Sequence, residues 1–139
     1  KLEITEQTAL RSGDKMLDKI QSIKRMGVKL EMDDFGMGHS SLMYLKEYEF
    51  DTVKLDGTLV RDITTNKSCK KIISSIVDLG KTLNFSVLAE YVETREQKEI
   101  LHNLGCNQYQ GYLFSKPIPF DDAVNFIMES EARNIKIPV

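Results

Sequence analysis

Cysteine is scarce in this chain. Cys69 and Cys106 stand alone, with no CxxC spacing and no flanking cysteine or histidine cluster, which excludes a zinc ribbon and a disulfide framework and fits a reducing cytoplasm. No apolar run approaches the roughly 20 residues of a membrane span, and no signal-peptide pattern opens the sequence, so no membrane contact is expected of this segment. An excess of one charge is also missing. A net charge of −2 and a pI near 5.7 give no broad attraction for duplex nucleic acid or an anionic surface, so any phosphate ligand must be held locally. The glycine fingerprint GxGxxG, the P-loop and the GxSxG elbow are absent, which removes the dinucleotide, P-loop and serine-hydrolase readings. There is no internal repeat and no low-complexity segment.

What is present is an ordinary globular composition. The 139 residues, 41% hydrophobic and 29% charged, suffice for one core but are short for two domains. Short apolar strand patterns alternate with helical ones, the signature of βα units and a parallel sheet with helices outside. Lys1–Thr5 reads as a strand, Asp14–Met26 as an amphipathic helix stopped by Gly27, and Val28–Asp33 as the next strand. Ser40 and Ser41 can cap a short helix carrying Leu42 and Leu45, before a strand at Thr52–Asp56 and a helical turn at Gly57–Ile63. Lys67–Leu83 is a stronger helix with Ile72, Ile73, Ile76, Leu79 and Leu83 on one broad face and Asn84 as its C-terminal cap. Phe85–Glu90 is the fourth strand, and Thr94 to Gln97 forms a capping box for a helix with Ile100, Leu101 and Leu104. Gln108–Phe114 is the fifth strand. Pro117 and Pro119 then break the chain before a helix at Phe120–Glu129 with Val124, Ile127 and Met128 on its apolar side. Met16, Met26, Met43 and Met128 read as core filler.

Polar residues recur at the strand ends. Asp33 and Asp34 follow a strand-like run and lead into a loop containing Gly36 and Gly38, and adjacent carboxylates repel unless a cation or proton lies between them. Glu3, Lys54, Asp56, Glu90 and Gln110 likewise fall within or at the C-terminal ends of strand candidates, where the catalytic groups of βα barrels converge. Each has a plainer reading: the Asp pair as a strand-ending turn, Glu3 as a solvated charge, Lys54 as a snorkelling edge residue, Glu90 as a partner of Thr94 or Arg95. Recurrence on five strands favours a shared site. His102 reads as a surface residue within a helix, and His39 stays open.

Five segments resemble one family in order. Leu2-Glu-Ile-Thr-Glu6 is similar to an ExTE strand, Asp33-Asp-Phe-Gly-Met-Gly-His-Ser-Ser41 to a DDFGxGxSS loop, and Lys54-Leu-Asp56 to a KxD strand. Ala89-Glu-Tyr-Val-Glu-Thr94 and Gln110-Gly-Tyr-Leu-Phe-Ser-Lys-Pro117 are similar to AExVET and QGYxxxxP. These are the motifs of the EAL-domain phosphodiesterases, which hydrolyse the bacterial second messenger cyclic di-GMP to linear pGpG. The resemblance implies a (β/α)8 TIM-type barrel, a cytoplasmic setting and two divalent cations, Mg²⁺ or Mn²⁺. It implies that Glu3, Asp33 and Asp34 hold the ions, and that Glu90 is a further ligand or orients the attacking water. Lys54 and Gln110 would contact that water, Asp56 would lie at the substrate, and Glu6 would brace the Asp33–Ser41 loop, which in the family couples ligand binding to dimer formation.

Two departures stand out: Tyr91 where the family usually has Gly, and His39 where Tyr is common. The segments bearing the Glu-Ala-Leu motif and a metal-binding Asn would lie before Lys1. A barrel needs roughly 250 residues, so the chain is expected to be the C-terminal portion of an EAL domain, with about five strands and no second domain. Left unpaired, such an edge favours a homodimer or a domain-exchanged oligomer, and the isolated segment is expected to have little or no activity. The alternative is a catalytically degenerate EAL domain serving as a cyclic di-GMP receptor or protein-interaction scaffold.

Overall fold

The computed structural model describes residues 1–11, 14–36 and 42–132. Five parallel strands form one sheet: β1 (Leu2–Thr5), β2 (Leu30–Phe35), β3 (Thr52–Leu55), β4 (Ser86–Ala89) and β5 (Gln108–Tyr109). Their order in space is their order in the chain. A doubly wound sheet reverses direction at a switch point, whereas a barrel winds one way throughout. This sheet winds one way and is part of a TIM-type barrel, as expected.

Pleating sorts the side chains. The register pairs Ile4 with Met32, Met32 with Val53 and Val53 with Val87, so one face is apolar. Helices cover that face: α1 (Glu6–Arg11), α2 (Asp14–Arg25), α3 (Leu42–Tyr48), α4 (Gly57–Arg61), α5 (Lys67–Leu83) and α6 (Arg95–Asn103), whereas α7 (Phe120–Ala132) adds no residue to the core. Val53, Leu55, Val60, Ile63, Ile73 and Leu101 are fully buried in the resulting core. The opposite face carries Glu3, Glu31, Thr52, Lys54 and Gln108, alternating with the apolar set as a period of two requires.

Several boundaries follow from named interactions. Asn84 ends α5 with a left-handed φ of 63°, and Thr94 and Gln97 form the expected capping box at α6. Asp51 fastens the lower edge of the sheet: its carboxylate accepts from the Leu30 N–H at 2.9 Å and from Lys29 at 2.6 Å. Burial pushes this carboxyl up, but the Lys29 hydrogen bond, the Leu30 N–H and the charges of Lys29 and Lys24 outweigh it and hold it below the usual range.

The structure also corrects the sequence reading. Helix α1 begins directly after β1. The fifth strand ends at Tyr109, because Phe114 turns back to donate to the Gly111 carbonyl and Leu113 donates to that of Val92. The second strand continues past Asp33 to Phe35. Met26, Met43 and Met128 are exposed rather than core, as is Ile72, since the buried stripe of α5 runs through Cys69, Ile73, Ile76, Val77 and Gly80. Val124, Ile127 and Met128 of α7 are also exposed to differing degrees. Ser40, Ser41 and His39 lie outside the described residues.

The α5 stripe yields a paired prediction. Ile73→Ala should cost about 3 kcal/mol through lost burial and a cavity, while Ile72→Ala should stay within about 0.5 kcal/mol. Urea unfolding would register the first as a lower midpoint at unchanged slope. Equal effects would mean that the stripe is misassigned.

Candidate functional site

Lys54 stands at the centre of the polar face. It is buried, and its Nζ lies 2.9 Å from Glu90 Oε1, 3.0 Å from Asp33 Oδ1 and 3.4 Å from Glu3 Oε2. One ammonium thus gathers carboxylates from β1, β2 and the end of β4. Neither an edge snorkel for Lys54 nor a local partner for Glu90 describes this geometry. Burial pushes the Lys54 ammonium down, but hydrogen bonds to Glu90 and Asp33 and their charges outweigh it and raise it well above the ordinary lysine value. For Glu90, burial is the largest influence and pushes its carboxyl up. Lys54 opposes this, the charges of Asp33 and Asp34 add to it, and the net direction is upward.

An irregular β2 makes room for two consecutive acids. The register with β3 shifts between Met32 and Phe35, and Asp34 adopts a left-handed φ of 57°. Such a bulge breaks the alternation of the strand and re-aims side chains. Left-handed backbone costs a non-glycine residue about 1 kcal/mol. The Asp34 N–H donates to Asp33 Oδ1 at 3.1 Å, so the strand-ending turn and the site use the same pair of residues.

The other anticipated residues surround this cluster without joining it. Glu6 is buried, and its Oε2 accepts the Gly36 N–H at 3.2 Å, which ties the start of α1 to the start of the glycine loop. Asp56 caps α4: its Oδ1 accepts from the Thr58 N–H at 2.8 Å and from the Thr58 hydroxyl. Gln110 is pinned by its backbone, its N–H donating to the Ala89 carbonyl at 2.8 Å and its carbonyl accepting from the Val92 N–H at 3.0 Å. Next to it, a Cβ on Gly111 would meet the Val92 carbonyl oxygen at 2.3 Å, so only glycine fits there. Gln110 and Glu90 share a cavity of about 470 Å³ with Tyr91, Tyr112 and Lys116. His102 meets only the Tyr109 hydroxyl, 3.4 Å from its Nδ1, among the described residues.

Sequence reasoning missed the surroundings of Tyr91. This residue has a left-handed φ of 54°, and Arg61 Cζ lies 5.0 Å from its ring centroid. The one signal available was the residue's place where glycine is usual.

The donor set fits hard divalent cations. Glu3, Asp33, Asp34 and Glu90 supply oxygen donors, and one ammonium leaves this group with surplus negative charge. Burial is the main cause of the upward push on Glu90, and the charges of Asp33 and Asp34 add to it. Among the described residues, no three of the acids are arranged to hold a metal ion; the point on which Glu3, Asp33 and Glu90 converge is occupied by the Lys54 ammonium.

Acids and a lysine at the carboxyl ends of parallel strands define the class as a βα-barrel protein with an acidic site at its mouth. The EAL domain model matches residues 1–117, and the chain belongs to the EAL domain family. It is 43% identical over 118 residues to a bifunctional diguanylate cyclase/cyclic di-GMP phosphodiesterase, MucR of Pseudomonas aeruginosa, covering 85% of this chain and 17% of that protein. The solved PaMucR phosphodiesterase in complex with c-di-GMP superposes with a TM-score of 0.82 at 42% identity, covering 88% of this chain and 49% of that one. Klebsiella pneumoniae BlrP1, solved with c-di-GMP and manganese and again with calcium, gives a TM-score of 0.78 at 36% identity, covering 83% of this chain and 29% of that one. No described helix is long and apolar enough to cross a membrane.

Removing the central cation should expose its structural weight. The raised Lys54 contributes stability that is fully present below the unfolded lysine value of 10.5 and is lost only as pH rises through the higher folded value. Lys54→Met at pH 7 in chelator should therefore cost about 3 kcal/mol, chiefly by leaving the buried Glu90 carboxylate uncompensated. The loss should shrink toward pH 4, as Glu90, its carboxyl pushed upward by burial, takes up its proton. Denaturant titrations at the two pH values check this, and a pH-independent loss would count against it.

Proposed function

We propose that this chain supplies a major part of the site of a cytoplasmic, metal-dependent phosphodiesterase that hydrolyses cyclic di-GMP to linear pGpG. The observation that carries the reading is the convergence of Glu3, Asp33 and Glu90 on Lys54 from different strands. The relatives support the substrate class, since PaMucR was solved with c-di-GMP and BlrP1 with c-di-GMP plus manganese or calcium.

Glu3, Asp33 and Asp34 are the residues that would hold two divalent ions, with Glu90 as a further ligand or an orienting group. Ions in such a place lower the pKa of water and stabilise the attacking and leaving oxygens of a phosphodiester. Lys54 then compensates the remaining negative charge and can donate a hydrogen bond to the attacking water. Glu90, pushed upward by burial, is suited to accept that water's proton. Gln110 reaches the same cavity with a neutral amide. Asp56 commits one oxygen to Thr58, and its other oxygen serves the substrate. Glu6 holds the glycine loop against α1, and assembly as a homodimer would act on the site through that loop.

A second reading, a receptor that binds without turnover, is favoured by Tyr91 at the cavity wall. The test is cyclic di-GMP hydrolysis by a complete EAL domain containing this chain, with Mg²⁺ or Mn²⁺, followed by chromatography of pGpG. Asp33→Asn should reduce the rate by about 100-fold or more, since removing a ligand's charge costs at least as much as the roughly 10–100-fold lost with a ligand's outer partner. Binding without turnover would support the receptor, and neither binding nor turnover would contradict both readings.

A further inference from the structure

Gln97 makes more hydrogen bonds than the N-terminus of α6 requires. A capping box needs one contact from its third residue, back to the N–H of the cap. Here Gln97 Oε1 accepts from the Thr94 N–H and also from the Glu93 N–H, each at 2.9 Å. Its own N–H donates to Thr94 Oγ1 at 3.2 Å, which completes the cap. Its amide Nε2 donates at 3.4 Å to the Val60 carbonyl in α4, the helix that Asp56 caps. The side chain that makes these contacts is buried.

The segment that Gln97 holds is the one that carries Glu90. Residues 90–93 belong to neither β4 nor α6, so their N–H groups depend on particular acceptors rather than on a ladder or a helix. Val92, fully buried, donates to the Gln110 carbonyl at 3.0 Å and accepts from the Leu113 N–H at 3.0 Å. Tyr91, between Glu90 and Val92, keeps a left-handed φ of 54°. A non-glycine residue stays in such a conformation only where its surroundings over-determine it. Here β4 fixes the segment before Glu90, Val92 fixes it beyond Tyr91, and Gln97 fixes its far end at Glu93 and Thr94. Glu90, Tyr91 and Glu93 then line the cavity of about 470 Å³ together with Gln110.

We propose that Gln97 is a positioning residue for the hydrolysis, holding the Glu90–Thr94 segment in its strained turn so that the Glu90 carboxylate stays beside Lys54 and meets the attacking water. This rests on the phosphodiesterase reading of the same site. Without the amide the turn at Tyr91 relaxes, and Glu90, the residue before it, leaves its place 2.9 Å from Lys54. The signature is a lower kcat at nearly unchanged KM, because orientation is lost while the contacts that bind substrate elsewhere persist.

The experiment measures kcat and KM for cyclic di-GMP with a complete EAL domain containing this chain, in Mn²⁺, beside urea unfolding of each variant. Gln97→Met should lower kcat by about 10-fold or more and change KM by less than about threefold. Gln97→Asn, whose amide is one methylene too short to reach Glu93, should give the same loss. Gln97→Glu keeps both acceptor bonds and should hold kcat within about threefold of the wild type. Thr94→Val removes the hydroxyl that caps α6 but leaves the Glu93 and Thr94 N–H groups on Gln97. It should lower the urea midpoint and keep kcat within about threefold. Diffraction from the metal-free Gln97→Met domain should show Glu90 out of hydrogen-bond reach of Lys54. Wild-type kcat in Gln97→Met, equal kcat losses in Gln97→Met and Thr94→Val, a lost rate in Gln97→Glu, or an unmoved Glu90 overturns the positioning role and leaves the phosphodiesterase reading standing. Absence of turnover by the wild type overturns both.

Discussion

The burial of one ammonium group among acids is the constraint on which this structure turns. A lysine inside a sheet is tolerable only if carboxylates reach it from several directions, because desolvation of an unpaired charge costs several kcal/mol. The neighbours of Lys54 therefore come from strands far apart in sequence, Glu3 on β1, Asp33 on β2 and Glu90 after β4. Their reach fixes the register of those strands and gives the sheet one polar face. The helices then pack against the other face, where Val53 and Leu55 lie on either side of Lys54 in the same strand.

The same cluster holds more negative charge than Lys54 can balance. Asp34 adds a further acid through a left-handed turn and a bulge, at a cost in backbone strain. Glu90 is pushed upward mainly by burial, with the charges of Asp33 and Asp34 adding to it. A site of this kind invites hard cations, which matches the manganese and calcium complexes of BlrP1. The supporting elements hold position: Glu6 accepts the Gly36 N–H at the end of β2, Asp56 caps α4, and Gly111 lets the β5 loop pass close to Val92.

Much of this was legible in the sequence, for identifiable reasons. The alternation of Val53, Lys54 and Leu55, the Thr94–Gln97 capping box and Asn84 at the end of α5 are local signals, and local geometry obeyed them. Polar residues recurring at strand ends pointed to the mouth of a barrel. What escaped depended on contacts between distant segments. The short β5 is set by hydrogen bonds to Ala89 and Val92, and the exposure of Ile72 by the rotation of α5 on the sheet. Asp51 links two strand starts through Leu30 and Lys29, and the Tyr91–Arg61 contact joins α4 to the segment after β4. Periodicity carries no information about any of these.

The central claim is that divalent cations enter the space Lys54 now organises. Diffraction from a complete EAL domain containing this chain, soaked with Mn²⁺ and measured at the manganese edge, tests it most directly. The account predicts anomalous peaks bounded by Glu3, Asp33, Asp34 and Glu90, with Lys54 moved off at least one carboxylate. Lys54 still bridging Glu3, Asp33 and Glu90, with no peak among them at saturating Mn²⁺, would contradict it.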